Sequence, residues 1–397
     1  MSRQWLSFLL IGSCISIAAP ALGAAAATDK PSEAEQSEPT PSEAEQSEPS
    51  QSEASQSDTG QSESNRGRLG VTVRASSTYS SNLFREQRRR EDAFDRNLPG
   101  QRYYEMQGPG DLASRLSLDD HYYFGGQGLR ATRISVGAAY VFHARNEIAN
   151  YVDLGGSLSV SPGASDRLVL DVGFIPRRFR KNYSLQEVAG VRQYEHAYYS
   201  QTRGGARLIH DWSKPWRSEL RYEVVVRKYA RPFENRDVTH HATELSLARD
   251  LWRLKATLGG LAALGFTASG LEFGVPVDRS YRDFGGFVGL DARFGYGLHA
   301  GADVRYRLRD YTTSDPSNQT YFNRGDWLLT LSARVRKDFG TSFAMLFEAT
   351  RISNETNRGD LPQVDPTDLG YEDLFAGFGI EVTLGARSRE VAPRSTK

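Results

Sequence analysis

The sequence predicts an all-β protein: a transmembrane, antiparallel, up-and-down β-barrel of about fourteen strands, preceded by a disordered acidic tail. Three observations predict it. Long segments alternate apolar with charged or small residues, their connections are alternately short and long, and the chain opens on an export-type leader. A period of two marks a strand with one apolar and one polar face. Runs of this length suit tilted strands that cross a bilayer, which need roughly 9–11 residues.

Residues 1–28 read as a secretory signal peptide. Arg3 supplies a positive start, Trp5–Ala19 an apolar core, and Ala21-Leu22-Gly23 a small-x-small cleavage site. A lipoprotein signal at Cys14, after Ile11-Gly12-Ser13, is the competing reading; the short apolar core before Cys14 and the apolar run through Ala27 weigh against it. Cys14 is the only cysteine, so removal of the leader would leave no disulfide and no Cys-ligated metal.

Residues 29–66 form a linker of decaying ten-residue repeats, PSEAEQSEPT, PSEAEQSEPS, QSEASQSDTG. With no aromatic or branched aliphatic residue to bury, such a segment does not recover the entropy of ordering. It is expected to be disordered and periplasmic. Residues 31–65 hold nine acidic residues and no Lys or Arg, which leaves 47 basic against 39 acidic residues over 66–397, a net of +8. The formal neutrality of the whole chain therefore hides an acidic tail on a basic barrel.

The barrel is expected over 67–385, with a polar tail at 386–397. Alternation and turn chemistry place strands near 70–83, 111–123, 129–143, 149–161, 166–182, 194–212, 216–231, 238–251, 254–269, 281–296, 298–313, 324–338, 341–355 and 371–385. The longer polar connections are expected at 85–109, 144–149, 184–193, 231–236, 271–280, 313–323 and 355–369. Short turns on one rim and longer loops on the other are the habit of outer-membrane barrels. An even strand number puts both termini on one side, where the exported tail must lie.

The hairpin RDFGGFVGLDARFGYGLHAGADVRYRLRDY over Arg282–Tyr311 shows the pattern most clearly. Phe284, Val288, Leu290, Ala292, Phe294 and Tyr296 share one parity with a charged set opposite; Ala300, Ala302, Val304, Tyr306 and Leu308 oppose Asp303, Arg305, Arg307 and Arg309. A soluble barrel would show the same period with its apolar face inward. Soluble up-and-down barrels cluster near eight strands, whereas fourteen leave an interior too wide for apolar side chains to fill. The charged parity must then enclose water. Slipping the second strand by one residue would turn its arginines toward lipid at roughly 2–4 kcal/mol each. Aromatics near strand ends (Tyr79, Tyr140, Phe142, Tyr151, Tyr198, Trp212, Trp252, Phe294, Tyr296, Trp327, Phe343) suit interfacial girdles.

The candidate site is the lumen lining: Arg203, Arg207, Arg221, Arg227, Arg293, Asp303, Arg305, Arg307, Arg309, Arg334 and Arg336 share lumen parity, with Asp291, Glu219, Glu223 and Glu381. Two readings stand side by side. The arginines pair with carboxylates across strands and stiffen the wall, or they present a positive constriction to anionic solutes or acidic sugars. No catalytic or metal set is expected. His210-Asp211 and His240-His241 are adjacent in strands and so face opposite ways. Gly259-Gly260 and Gly285-Gly286 read as close-packed strand sites. Arg85–Arg96, REQRRREDAFDR, carries its own acids and reads as a solvated loop or a lipopolysaccharide-facing cluster, not a nucleic-acid site. No cofactor is implied.

In this layout the chain resembles bacterial outer-membrane β-barrel porins over 67–385. In the segment Ala75–Arg85, ASSTYSSNLFR, it resembles more loosely the barrels encoded with exopolysaccharide export systems. The resemblance implies an outer-membrane location in a Gram-negative cell. It also implies lipid, lipopolysaccharide and the barrel-assembly machinery as partners, and either a passive channel or a non-conducting barrel tied to surface polysaccharide. One departure stands out. Such barrels commonly end on an aromatic residue, whereas here FAGFGIEVTLG is followed by ARSREVAPRSTK, which moves any assembly signal inward to Phe378.

Overall fold

The computed structural model describes residues 68–84, 105–126, 129–163, 165–188, 191–213, 215–268, 270–272, 275–315, 318, 321–358 and 370–385. The expected leader, acidic linker, Arg85–Arg96 cluster and polar C-terminal tail lie outside them. The barrel strands are β1 (Arg68–Ser80), β2 (Asp111–Gly126), β3 (Leu129–His143), β4 (Tyr151–Ser161), β5 (Asp166–Val188), β6 (Val191–Ser213), β7 (Trp216–Tyr229), β8 (Val238–Leu251), β9 (Leu254–Thr267), β12 (Tyr281–Arg293), β13 (Leu298–Tyr311), β14 (Arg324–Phe339), β15 (Phe343–Arg358) and β16 (Tyr371–Gly385); a small hairpin, β10 (Gly270–Glu272) with β11 (Val275–Val277), stands outside the ring. Each barrel strand pairs antiparallel with its sequence neighbours, and β1 closes on β16 from Gly70↔Gly385 to Ser80↔Phe375. Closure leaves the ring itself without an edge strand; the β5–β6 extension beyond it and the β10–β11 hairpin are paired on one side only.

Exposure alternates along the strands and tells inside from outside. On β13, Ala302, Val304, Tyr306 and Leu308 are exposed, while Arg307 and Arg309 are buried. On β16, Leu374, Phe378, Ile380, Val382 and Leu384 are exposed and Asp373, Glu381 and Thr383 buried. The outer wall is thus a continuous belt of Leu, Val, Phe and Tyr with no protein against it. A soluble protein rarely exposes an apolar patch beyond a few hundred Å². The belt makes this a membrane-spanning barrel, apolar side to lipid.

Two expected connections differ. The polar stretch 184–193 forms no long loop: pairing continues from Ser184↔Tyr194 to Val188↔Val191, so β5 and β6 each reach 23 residues. Polarity there marks a hairpin that has left the membrane and needs no apolar face. It follows three register shifts, between Ile175/Arg178, Phe179/Lys181 and Ser184/Gln186, after β5 has parted from β4 at Phe174. The 271–280 stretch, read as loop, contains the β10–β11 hairpin. Residues 294–296, expected in a strand, belong to the turn after β12, where Tyr296 takes φ 62°.

Apart from the β5–β6 tip, the two- to four-residue connections between barrel strands fall on one rim, with both barrel ends. The longer connections and the β5–β6 tip lie on the other. The protruding hairpin packs against residues of the loop rim: Phe179 clusters with Phe84, Met106 and Ala149, and Tyr183 with Ala197 and Tyr199 of β6, Tyr229 of β7 and Phe233 after it.

Candidate pore lining

The inner wall has two zones. On β12, β13 and β14 the inward side chains are buried toward the long-loop rim and partly or fully exposed toward the short-turn rim, whereas Ala344 of β15 and Glu381 and Thr383 of β16 are buried near the short turns. On β13 the inward series runs from partly exposed Asp303 and Arg305 to buried Arg307 and Arg309.

The buried zone is organised by carboxylates near the loop ends of strands. Asp283 is fully buried and takes Arg309 (Nε–Oδ1 2.8 Å, Nη2–Oδ2 2.9 Å), with Arg307 at 3.5 Å. Arg309 also lies over the Tyr281 ring at 3.5 Å. Arg324 meets Asp326 at 2.8 and 3.0 Å. Asp153 draws Arg115 (3.1 Å) from β2 and Arg203 (3.6 Å) from β6. Asp373 accepts from the Ser80 hydroxyl and the Asn82 backbone N–H, each at 3.0 Å. Asp111 accepts from the Asn146 backbone and side-chain amides, both at 2.9 Å. Buried charges stay ionised only when paired and hydrogen-bonded in this way.

The sequence reading passed over these anchors although a signal was there. Tyr151-Val152-Asp153, Tyr281-Arg282-Asp283 and Tyr371-Glu372-Asp373 each open a strand that leaves the loop rim. Residues i and i+2 share a face, so tyrosine and carboxylate are buried together. For Tyr151 this corrects the girdle assignment: it packs inside with Val141 and Ile175. Arg74, Arg115, Arg324 and Phe287 are further inward residues that were missed.

In the half-exposed zone several pairs span intervening strands. Arg305 reaches Glu244 of β8 at 2.5 Å, passing β12 and β9, with its guanidinium over the Phe287 ring at 4.8 Å. Phe287 in turn covers Gly259, where a Cβ would stand 2.3 Å from the ring. Arg334 meets Asp291 at 2.5 Å across β13. Arg336 reaches Asp338 (2.9 Å) and, across β15, Glu381 (3.0 Å), which also takes Arg74 at 2.7 Å. Arg221 pairs with Glu223 at 2.5 Å and Arg207 with Glu219 at 3.9 Å. Arg227 donates to Gln201 at 2.8 Å.

Of the eleven sequence-derived candidates, ten therefore lie on the inner wall inside β6, β7, β13 and β14, and nine of these contact a named side-chain partner. Asp303 is the tenth, set in register between Gly289 and Ser332. Arg293 ends β12 beside the short turn, exposed and outside this network. The histidines behave as the strand parity requires. His240 is buried against the Tyr281 hydroxyl (3.0 Å), and His241 points outward to the Tyr222 hydroxyl (2.7 Å). His210 contacts Asp166 while Asp211 contacts Arg217. Among the described residues no group of three or more His, Cys, Asp or Glu is placed to hold a metal.

No family model matches the chain, and no curated protein matches it. Solved structures of similar form include the outer membrane channel DcaP of Acinetobacter baumannii (11% identity, TM-score 0.42, 80% of this chain against 97% of that one). The anion-selective porin from Comamonas acidovorans is another (12%, 0.35, 81% against 100%), as is the CymD monoaromatic hydrocarbon channel (8%, 0.43, 81% against 89%). With its ring closed, its outer wall apolar and its inner wall charged, the chain is in architecture an outer-membrane-type β-barrel.

Proposed function

We propose that the protein is a passive outer-membrane channel for small polar or anionic solutes, working by size and lumen charge, with its N-terminal linker on the periplasmic side. One observation carries the anionic preference. At three nodes two arginines share a single carboxylate: Arg115 and Arg203 on Asp153, Arg307 and Arg309 on Asp283, Arg74 and Arg336 on Glu381. The carboxylate is the more buried member each time; Asp153 is 4% exposed and its partner Arg203 39%. At the Asp153 and Glu381 nodes, where the arginines are 24–39% exposed, the wall therefore offers guanidinium to water although each acid is paired; at Asp283 both arginines are buried. Such a field raises the local concentration of anions. The measurement is planar-bilayer conductance of the refolded barrel under a salt gradient. Steps with an anion-leaning reversal potential support the reading; cation-leaning steps contradict it.

A second reading, a non-conducting barrel serving surface-polysaccharide export, is favoured by the burial of the long-loop half of the inner wall. There Asp283, Arg324, Asp326, Asn354 and Asp373 are almost inaccessible. Silence in the bilayer at every voltage would favour it.

A further inference from the structure

Three of the five tryptophans, Trp212, Trp216 and Trp252, gather at the short-turn rim on β6, β7 and the β8–β9 turn. Each lies against a basic side chain. The Arg249 guanidinium stands 5.1 Å from the ring of Trp216, its register partner on β7. Arg253 stands over Trp252 at 4.4 Å. His210 packs edge-on to Trp212 at 4.4 Å, and the Trp212 indole N–H donates to Ser218 at 2.9 Å. Trp252 is 89% exposed at φ 57°, a left-handed conformation that bulky residues rarely adopt.

Arg249 shares its outward parity with Leu245, Leu247 and Leu251, all exposed, so it stands on the lipid wall where the apolar belt ends. Among the described residues neither Arg249 nor Arg253 is paired with a carboxylate. A guanidinium on this wall is costly in hydrocarbon and tolerated near the interface. Stacking on an indole holds its plane while leaving its N–H groups free at the edge. Those donors match phosphate oxygens in a bidentate way.

We propose that this arc of the short-turn rim binds an anionic phospholipid. Arg249 and Arg253 take the headgroup phosphate, and the indoles seat at the headgroup level. The test is native mass spectrometry of the full-length protein in detergent with equal phosphatidylglycerol and phosphatidylcholine. The wild type should retain phosphatidylglycerol in preference. Arg249→Gln with Arg253→Gln should lower that preference by about fivefold per arginine. Arg253→Gln alone, in an exposed turn that tolerates change, keeps the test open if the double variant does not fold. Arg351→Gln, on the outer wall near the middle of β15 and away from this rim, should leave the ratio unchanged. Equal retention of the two lipids, an unchanged ratio in the Arg253 variant, or release of the lipid by millimolar inorganic phosphate would overturn the assignment.

Discussion

Arg334 of β14 and Asp291 of β12 meet at 2.5 Å over the bare backbone of Gly301, a residue of the strand between them. A Cβ built there would stand 2.5 Å from Asp291 Oδ1 and 2.8 Å from Arg334 Nε. Gly173 stands under Arg203 in the same way, its Cβ 2.1 Å from the Arg203 Nε. The inner wall thus uses glycine as the gap through which charges two strands apart join. Gly301→Ala should part the pair without unfolding the barrel, because the atoms in the way are ends of flexible side chains. The pair is half-exposed and contributes at most about 1 kcal/mol. The urea midpoint of the boiled-versus-unboiled gel shift should move little while single-channel conductance changes. Loss of the folded band would contradict this.

Asp283 differs because it is inaccessible to solvent and holds two arginines. Asp283→Asn leaves both guanidiniums without their counter-charge in a buried place, at roughly 3–5 kcal/mol. Asp291→Asn, at a half-exposed pair, should cost less than about 1 kcal/mol. Denaturant titration of the two variants side by side measures the difference. Equal destabilisation would mean that the long-loop half of the lumen is as wet as the other.

Charge at the two-to-one nodes should set ion preference. Glu381→Gln removes the carboxylate that Arg74 and Arg336 share and should move the reversal potential further toward anions. Arg203→Glu should move it toward cations. Both shifts should shrink as salt is raised, since the screening length falls from about 10 Å at 0.1 M to about 3 Å at 1 M. A shift of the same sign for both variants would remove lumen charge as the cause.

The ring and its parity were legible in the sequence because the membrane imposes them. Val304 has to face lipid if Arg305 is to face water, so alternation alone orders the two walls. The pairs within the lumen were not legible. Arg305 finds Glu244 across β12 and β9, and nothing local in its own strand marks that partner. The β5–β6 extension was hidden because a hairpin beyond the bilayer loses the apolar face that identifies a strand. The Tyr-x-Asp openings were visible, yet their meaning depends on knowing that this rim is the buried one.

Substitution on the outer wall should be costly in proportion to depth. Val304→Arg, near the middle of β13, should destabilise the barrel by roughly 2–4 kcal/mol. Leu384→Arg, at the short-turn end of β16, should cost about 1 kcal/mol or less. Folding yield into lipid vesicles against urea measures both; a cost at the rim equal to that at the centre would argue against a bilayer around the belt.

The central proposition is that one parity meets lipid and the other encloses water. Cys14 is the only cysteine, so a Cys14→Ser background permits single cysteines at positions 302 to 309 of β13. With the barrel in vesicles, a charged, membrane-impermeant thiol reagent should label positions 303 and 305 and spare 302, 304, 306 and 308. Positions 307 and 309 should label more slowly, in step with their burial. Labelling of the even positions in preference, or labelling with no period of two, would contradict the account.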